Sequence, residues 1–450
     1  MLRFVLLRGT MPSMELSDFG SKLTSRSGIL SLMDDLGKPL PKGVTPYPLG
    51  GGNPARIPQV EAAYRREMEA LLADGDAFEN VIAHYDAPQG RMRFVEQVSS
   101  YLSHTYGWKI GPENVAVLNG SQSAMFDLFN LFSGSFTRDR HTWKKTVLFP
   151  LMPEYVGYAD QGIEPDTFVS LPSRCTYLGE HTFKYAIDFP LVEEYLEAHT
   201  NEGEDGQVGA ICVTRPTNPS GNVLTDQEIH HLSDLAHAHG IPLLVDNAYG
   251  LPFPDIVFID HAEPIWNQDI ILSMSLSKIG LPAIRTGIVV ARKEIITALS
   301  NINAIVSLTS GSMGQVLAGS LIESGKLVEL AKHAVQPYYQ KRARQTQQWI
   351  ETFFAGTDYA YHKMEGSIFC WLYLPRLSLP TCQFYEVLKQ QGVITVPGEY
   401  SFFGHPDQKE GKPYPHPHFT KCLRLNYSAP EEKVETGLRI IAEQYRKYGG

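Results

Sequence analysis

The sequence lacks two features that define large classes of protein: long apolar runs and clustered basic residues. Its 450 residues contain no run approaching the roughly 20 apolar residues that a membrane-spanning helix needs. The 39 Lys and Arg are scattered among 49 Asp and Glu, for a formal net charge of −10. Nucleic-acid and anionic-membrane surfaces require grouped basic side chains. The sequence therefore predicts neither a nucleic acid nor a membrane as a partner.

Cysteine is also scarce, with five residues that are odd in number and never spaced as C-x-x-C. That pattern predicts neither a disulfide framework nor a structural zinc site, and no metal is predicted for this chain. Several of the five lie in apolar runs such as AICVT and IFCWL, which favours buried, reduced thiols. The five are Cys175, Cys212, Cys370, Cys382 and Cys422.

The first residues, MLRFVLLRGTMPSM, contain two arginines but only the short apolar run FVLL. A secretory signal peptide needs a longer apolar core. Together with the cysteine pattern, this predicts a cytoplasmic protein. Met1, Met11 and Met14 each offer a start, and the sequence does not choose between them.

Short β-branched runs alternate with helical stretches through the middle of the chain, a pattern typical of parallel βαβ units. The runs lack polar alternation, as expected for strands covered by helices on both faces. Between two of them, Thr225 and Glu228 form a capping box and Gly240 marks the helix end. The predicted strands are 115–119, 146–150, 209–214, 242–246, 270–275 and 287–291.

The two ends of the chain differ from this middle part. After residue 330 a long polar helix is predicted, followed by strand-like SIFCWLYL, VITVP and CLRLNYS. We therefore expect an α/β protein with a large domain at 71–329, in which a mostly parallel sheet is covered by helices. A smaller α+β domain, with an N-terminal arm, is expected from residues 1–70 and 330–450.

One candidate for chemistry is SMSLSKIGLPAIRTG, residues 273–287. Lys278 closes an apolar strand there, and loss of hydration lowers the pKa of a lysine toward that of a usable nucleophile. Ser275, Ser277 and Arg285 surround it with the donors that a phosphate group requires. Taken alone, the motif is also compatible with an ordinary surface lysine at a strand exit.

A second group of polar residues follows two neighbouring strands. Asp246 ends one strand in VDNAY, where parallel sheets bind ligands, and a protonated pyridine nitrogen is a suitable cationic partner for its carboxylate. Tyr249 and Asn218 are predicted hydrogen-bond donors to a phenolate oxygen on the opposite edge of such a pyridine ring. Asn218 lies in VTRPTNPSGN. Separately, Asp246 also fits a helix N-cap and Asn218 an Asn-Pro turn.

The order NP-x-G, D-x-x-Y, S-x-S-K and then Arg resembles fold-type-I pyridoxal-phosphate (PLP) enzymes of the class I/II aminotransferase family, over nearly the whole chain. The resemblance implies that PLP forms a Schiff base with Lys278 and pairs its ring nitrogen with Asp246. It also implies ping-pong transfer of an amino group. In one departure, seven residues separate Lys278 from Arg285, whereas eight is the common spacing in the family.

Further segments resemble family motifs, and their roles are implied by that resemblance. NGSQSA resembles the turn that holds the cofactor phosphate, PEYVGY the segment that lies on the pyridine face, and CLRLNYS the motif that binds the substrate carboxylate. HYDAPQG resembles a loop whose tyrosine reaches the partner subunit's phosphate, which implies a homodimer with shared active sites. The glycine-rich LGGGNP resembles a loop near the substrate carboxylate. The residues concerned are Gly120, Ser121, Gln122, Tyr155, Arg424, Tyr85, Gly51 and Asn53.

Within the family, the chain resembles the valine–pyruvate branch, through FGSKLTSRSGILSLMDDLG, LGGGNPARIP, FPLMPEYVGYAD and DNAYGLPFP. This implies a small neutral amino acid and a 2-oxo acid as substrates. An aminotransferase of the alanine or aromatic type and a PLP-dependent β-lyase remain alternatives, because they share these residues. A PLP-binding sensor in a transcription regulator is the non-enzymatic alternative; it predicts a fused helix-turn-helix and a basic patch, and the sequence has neither.

Overall fold

A computed structural model of the protein describes residues 15–25, 27–37 and 43–449. The candidate starts Met1, Met11 and Met14 lie outside this part. No helix among the described residues is both long and apolar enough to span a membrane. The α-helices within it are α1 (Asp18–Leu23), α2 (Gly28–Gly37), α3 (Pro58–Ala73), α4 (Ala77–Ala83), α5 (Met92–Tyr106), α6 (Ser121–Phe132), α7 (Phe189–Ala198), α8 (Asp226–Ala238), α9 (Lys293–Val306), α10 (Ser312–Glu323), α11 (Lys326–Leu330), α12 (Gln336–Phe353), α13 (Thr381–Gln390), α14 (Pro406–Lys409) and α15 (Glu431–Lys447).

Strands form two larger sheets and one short pair. They are β1 (Tyr47–Pro48), β2 (Val115–Leu118), β3 (Gly134–Arg138), β4 (His141–Phe149), β5 (Phe168–Ser170), β6 (Arg174–Tyr177), β7 (Thr182–Ala186), β8 (Gln207–Thr214), β9 (Leu243–Asp246), β10 (Ile270–Ser275), β11 (Gly287–Val290), β12 (Ala360–His362), β13 (Phe369–Tyr373), β14 (Val393–Ile394), β15 (Val396–Pro397) and β16 (Cys422–Asn426).

The large sheet has the order β2-β11-β10-β9-β8-β4-β3, and β5 also pairs with β4. The run β10-β9-β8-β4 is parallel, whereas β11 is antiparallel to both of its neighbours. Every residue of β8, β9 and β10 is buried, which explains why their sequences are mostly apolar and lack polar alternation. All six predicted strands form, and the expected mostly parallel sheet covered by helices is confirmed.

The predicted capping box is present at the start of α8. Thr225 accepts a hydrogen bond from the Glu228 backbone, and the Glu228 side chain accepts one from the Thr225 N–H. The helix ends at Ala238, and Gly240 follows with φ +62°. A single glycine in left-handed backbone just beyond the last helical turn is a common way for a helix to end.

The second sheet has the order β15-β16-β13-β12-β7-β6. Its C-terminal strands come from the region predicted to form the smaller domain, but β6 and β7 come from residues 174–186, inside the predicted 71–329 domain. This hairpin joins the second sheet through the parallel pairing of β7 with β12. The division of the chain into domains with the boundaries given above stays a prediction.

Candidate active site

A cavity of about 390 Å³ lies at the carboxyl ends of the parallel strands. Parallel α/β sheets bind ligands at this edge because the loops that leave the strands converge there. Arg424 and Phe369 reach the cavity from the second sheet, and α2 closes part of it. The lining residues include Gly52, Asn53, Ser121, Gln122, Tyr155, Asn218, Asp246, Tyr249, Ser275, Ser277, Lys278, Arg285 and Arg424.

Lys278 lies in a single 3-10 turn that directly follows β10. Its Nζ donates a hydrogen bond of 2.7 Å to the carbonyl of Gly52. Burial lowers the pKa of Lys278 to about 8, and the neighbouring Arg424 and Arg285 act in the same direction. A neutral amine is therefore far more accessible here than for a lysine in water, as a nucleophile and proton carrier requires.

Asp246, the last residue of β9, is only 6% exposed. Its Oδ1 accepts a hydrogen bond of 3.0 Å from the Ala248 N–H, and its Oδ2 accepts one from the Tyr158 hydroxyl. Burial raises the pKa of Asp246, while these two donors and the positive charge of Lys278 oppose that change. The carboxylate is held in a fixed orientation at the cavity wall, ready for a cationic partner.

Arg424 in β16 is the most heavily engaged cation of the site. Nη1 donates to the Asn218 side-chain oxygen at 2.8 Å, and Nη2 donates to the Gly50 carbonyl at 2.6 Å. The guanidinium carbon lies 4.2 Å from the centre of the Phe369 ring. Nε is buried and has no hydrogen-bond partner among the described residues. A buried donor without a partner is costly, so this atom is suited to an anionic ligand.

The loop that carries Asn218 is held by its own backbone. The N–H of Thr217 donates to Asn222 and the N–H of Gly221 donates back to Thr217, both at 2.8 Å. Gly221 has φ +75°, which this turn requires and which other residues adopt at a cost. Because the Asn218 oxygen already accepts from Arg424, its amide nitrogen is left as the donor toward the cavity.

A cradle for a phosphate forms where β2 turns into α6. Gly120 has φ +88° and precedes the helix, whose first residues are Ser121 and Gln122. A Cβ at position 120 would collide with the guanidinium of Arg285. Arg285 itself has φ +55° and donates to Ser277 Oγ at 3.4 Å. Free N–H groups at a helix start beside a guanidinium form a binding site for a dianion.

Two tyrosines provide aromatic walls. Tyr249 is almost fully buried, and its ring centre lies 5.5 Å from Lys278 Nζ. Tyr155 packs edge-to-face against Tyr158, with ring centres 5.2 Å apart. Both tyrosines were predicted from sequence, and both rings line the cavity. They form walls against which an aromatic ring can pack.

Tyr85 and Gly51 do not line the cavity, whereas Asn53 does. Tyr85 is 82% exposed, which is compatible with its predicted contact with another subunit. The Gly51 carbonyl accepts a hydrogen bond from the Asn426 side chain at 2.6 Å. Its neighbour Gly52 lines the cavity instead. Asn53 lines the cavity, while its carbonyl accepts from Ser428 at 2.6 Å.

Sequence reasoning missed a wall formed by α2. Ile29, Leu32 and Met33 line the cavity from this helix. The helix is tied to α13 by Asp35, which accepts from the Tyr385 hydroxyl at 2.6 Å. The i, i+3, i+4 spacing of the three apolar residues signals a buried helix face, but it does not indicate what that face covers.

Sequence reasoning also missed two residues behind Asp246. Tyr158 and Glu154 both belong to PEYVGY, from which only Tyr155 was predicted to act. Glu154 is completely buried. A carboxyl inside an otherwise apolar segment, FPLMPEYVGY, was the available signal, because an ionisable residue is seldom buried without a specific partner.

The charges of the site fit PLP. Lys278, Arg285 and Arg424 place three cationic side chains around the cavity, and among the described lining residues Asp246 alone carries a carboxylate. This balance suits a ligand with a phosphate and a substrate with a carboxylate. The Asp246 carboxylate suits a pyridine nitrogen, and the Lys278 amine suits an aldehyde. The cradle at Gly120 suits a phosphate.

Comparison with known proteins gives the class of the chain. The family model for class I and II aminotransferases matches residues 48–441. The chain therefore belongs to the class I and II aminotransferases, and PLP is its cofactor. The prediction of this family, of its fold and of an enzyme is confirmed, and the sensor alternative is wrong.

Individual relatives are similar along almost their full lengths. The valine–pyruvate aminotransferase of Escherichia coli (strain K12) is 44% identical over 436 residues, which are 96% of this chain and 99% of that protein. The valine–pyruvate aminotransferase of Salmonella typhimurium LT2 is 42% identical in sequence. Its crystal structure matches this one with a TM-score of 0.80, over 93% of this chain and 99% of that chain. A crystal structure from Psychrobacter arcticum 273-4, assigned as an amino-acid aminotransferase, is 39% identical, with a TM-score of 0.90 over 97% and 99%.

Proposed function

We propose that this aminotransferase exchanges an amino group between valine and pyruvate, giving 3-methyl-2-oxobutanoate and alanine. The 44% identity to the E. coli enzyme over nearly both full lengths carries this proposal. The cavity supports it, because an arginine for a carboxylate stands in the same cavity as an apolar helix face. An apolar wall favours a neutral branched side chain and disfavours the second carboxylate of an acidic amino acid.

Lys278 is the proposed catalytic base. When bound, PLP supplies an electron sink for the charge that develops at the substrate Cα. Lys278 holds the cofactor through its amine and then, freed from it, accepts the proton from Cα. A pKa of about 8 keeps an appreciable neutral fraction of this amine near physiological pH.

Asp246 is proposed to pair with the pyridine nitrogen and keep it protonated. Tyr158 and the Ala248 N–H orient the carboxylate for this contact. Asn218 and Tyr249 are proposed donors to the phenolate oxygen on the other ring edge. Tyr155 is proposed to pack on the ring face.

The phosphate is proposed to bind at the start of α6. The helix N–H groups and a neighbouring guanidinium supply donors that match its three oxygens. The residues proposed for this contact are Gly120, Ser121, Gln122, Ser275, Ser277 and Arg285.

Arg424 is proposed to bind the substrate carboxylate. Its buried Nε lacks a partner, and its plane is fixed by Asn218, Gly50 and the Phe369 ring. Gly51 and Asn53, in the glycine-rich loop, are also proposed for this subsite. Fixing the carboxylate orients the Cα–H bond, which is the part of catalysis that protein geometry contributes.

A homodimer is proposed as the working assembly, with Tyr85 reaching the phosphate in the partner subunit. Tyr85 stands beside a surface that is unusually apolar, since Ile305 is 86% exposed and Val306 and Leu308 are also exposed. The two segments are adjacent, because the Thr309 hydroxyl donates to the Ala87 carbonyl at 3.2 Å. Exposed apolar clusters of this kind mark protein interfaces. A cytoplasmic location stays a prediction.

The absorption spectrum of the purified holoenzyme tests the substrate pair. We expect a visible cofactor band that bleaches on addition of L-valine and returns on addition of pyruvate, with alanine and 3-methyl-2-oxobutanoate as products. A band that ignores valine but responds to another amino acid would overturn the substrates and keep the class. Ammonia release without a requirement for an oxo acid would identify a lyase.

A further inference from the structure

Glu154 is a completely buried carboxyl residue in the loop that follows β4. Its backbone N–H donates to the Ser401 carbonyl at 2.9 Å, which fixes the loop against the segment before α14. The side chain does not line the cavity and has no role in the mechanism given above. A buried ionisable side chain of this kind requires an explanation, because burial without purpose is costly.

The Glu154 carboxyl has three hydrogen-bond contacts, two of them with backbone N–H donors. Oε1 accepts the Thr214 N–H at 3.1 Å, and Oε2 accepts the Tyr155 N–H at 3.2 Å. Oε2 also lies 2.7 Å from Thr214 Oγ1. Among the described residues, no lysine, arginine or histidine forms an ion pair with it. Glu154 is therefore fixed in place without a compensating positive charge.

A chain of hydroxyl groups connects Glu154 to Asp246. Thr214 Oγ1 lies 3.5 Å from the hydroxyl of Tyr158, and Tyr158 donates to Asp246 Oδ2. The order is Glu154, Thr214, Tyr158, Asp246. Each hydroxyl has one proton to donate, so the direction in which the first hydrogen bond runs depends on whether Glu154 carries a proton.

The surroundings favour a protonated Glu154. Burial raises the pKa of Glu154 to about 8, and the charge of Asp246 acts in the same direction, against the lowering effect of the hydrogen bonds with Thr214 and Tyr155. The other ionisable neighbours, Tyr158 and Cys212, have pKa values raised by burial and stay neutral. Two carboxylates that share a region with little water do not both ionise readily.

We propose that Glu154 is a positioning residue for Asp246: it carries a proton at neutral pH and donates it to Thr214, so that all hydrogen bonds of the chain point toward Asp246 and leave the negative charge there. The cofactor's pyridine nitrogen then faces one fixed carboxylate rather than a charge shared with the protein interior. The inference rests on the proposed function only in pairing Asp246 with that nitrogen.

Infrared spectroscopy of the holoenzyme tests the protonation state directly. A protonated carboxyl has a carbonyl stretch that a carboxylate lacks, and the spectrum of wild type minus Glu154→Gln isolates the contribution of this residue. We expect a positive band at pH 7 that disappears as the pH rises through about 8. Absence of the band at pH 7 would overturn the proposal. The band requires neither substrate nor turnover, so an error in the proposed substrate pair leaves this test intact.

Asp255→Asn serves as the matched control. Asp255 is also buried, and burial raises its pKa to about 7, but it does not line the cavity. Its substitution removes a different carbonyl band and leaves the visible spectrum of the cofactor unchanged. A changed cofactor spectrum in Asp255→Asn would show that loss of any buried carboxyl perturbs the site, and would overturn a specific role for Glu154.

The effect on the cofactor is tested with enzyme reconstituted with PLP labelled with ¹⁵N in the ring. Thr214→Val cuts the chain between the two carboxyls and retains the shape of the side chain and the backbone N–H. We expect its pyridine ¹⁵N signal to move toward the unprotonated position, and the signal of Glu154→Gln, whose amide still donates to Thr214, to stay near that of wild type. A wild-type signal in Thr214→Val would refute the transmission from Glu154 to Asp246.

Discussion

Arg424 in a strand of the second sheet and Asn218 in a loop of the large sheet are joined by a hydrogen bond of 2.8 Å. Arg424 lies in β16 of the second sheet, whereas Asn218 follows β8 of the large one. The bond links the proposed carboxylate subsite to a proposed contact of the cofactor ring. Substrate binding and cofactor orientation are therefore expected to respond together when either residue is changed.

Arg424→Lys should test this link. Lysine cannot hold Asn218, Gly50 and a carboxylate at once, because it lacks the planar fork of arginine. We expect kcat/KM for valine to fall about 10- to 100-fold, since a lost charged hydrogen bond is worth about 1.5–3 kcal/mol. The visible band should shift as well, because Asn218 loses its orienting partner.

Arg342→Lys is the control for a substitution at a buried arginine. Arg342 is as buried as Arg424, but it donates to the carbonyls of Tyr427 and Ala429 and does not line the cavity. We expect a lower melting temperature with an unchanged KM for valine. Equal effects of both substitutions on KM would contradict the carboxylate role of Arg424.

Lys278 gives a pH-dependent prediction for the cofactor-free enzyme. Only the neutral amine attacks the aldehyde of PLP. Because burial lowers the pKa of this amine to about 8 from 10.5, the rate of reconstitution should rise with pH and reach half its maximum near pH 8. A stopped-flow record of the growing visible band at each pH measures this rate.

Lys278→Ala is the control for that experiment, and it should form no such band at any pH. It should also lose roughly 10³-fold or more of turnover, as expected when a positioned base is removed. A midpoint of reconstitution near the ordinary lysine pKa of 10.5 would contradict the buried environment.

Much of the fold and the central part of the site could be predicted from sequence, because both are recorded locally. The central strands of the large sheet are mostly apolar runs; Asp246 is the last residue of one, and Lys278 lies three residues after the end of the next. Since parallel strands end at one edge, residues that follow them are brought together by topology alone. The order of the parallel strands is therefore enough to predict that Asp246 and Lys278 lie at the same edge of the sheet, without knowledge of side-chain contacts.

What escaped prediction depends on contacts between distant segments. The apolar residues of α2 have the spacing of any buried helix face, and nothing in that spacing says what they cover. Their position at the cavity depends on the contact between Asp35 and Tyr385 of α13, which are 350 positions apart in sequence. The hairpin of β6 and β7 joins the second sheet only because β12 offers an edge to it. The connection of Glu154 to the site depends on its contact with Thr214, and on that of Thr214 with Tyr158. Sequence alone does not predict either contact.

Gly120→Ala should weaken PLP binding. Position 120 has φ +88° and ψ 161°, a backbone region that alanine adopts at a cost of about 1–3 kcal/mol, and the new Cβ would collide with Arg285. We expect the Kd of PLP to rise at least about tenfold, measured by the quenching of protein fluorescence on titration.

Gly356→Ala separates backbone strain from the loss of the cradle. Gly356 has φ +77°, and nothing lies within 4 Å of its would-be Cβ. It should lose comparable stability toward denaturant and keep the wild-type Kd of PLP. If Gly120→Ala also kept that Kd, the phosphate would not bind at the start of α6.

Leu32→Ala should change the choice of substrate. Leu32 is buried in the apolar wall, and its truncation removes surface against which a branched side chain would pack. Alanine as a substrate is too short to use that surface fully. We expect the ratio of kcat/KM for valine to that for alanine to fall about 3- to 10-fold, since each lost CH₂ contact is worth about 0.8 kcal/mol.

Leu30→Ala is the matched control for the wall. Leu30 lies on the same helix but is 45% exposed and does not line the cavity, so its truncation should leave the ratio unchanged. Both variants retain the helix, because alanine is the best helix former. If the ratio stayed constant in Leu32→Ala while α2 remained docked, the side chain of valine would have to bind elsewhere in the cavity, and the apolar face of α2 would serve only to exclude water.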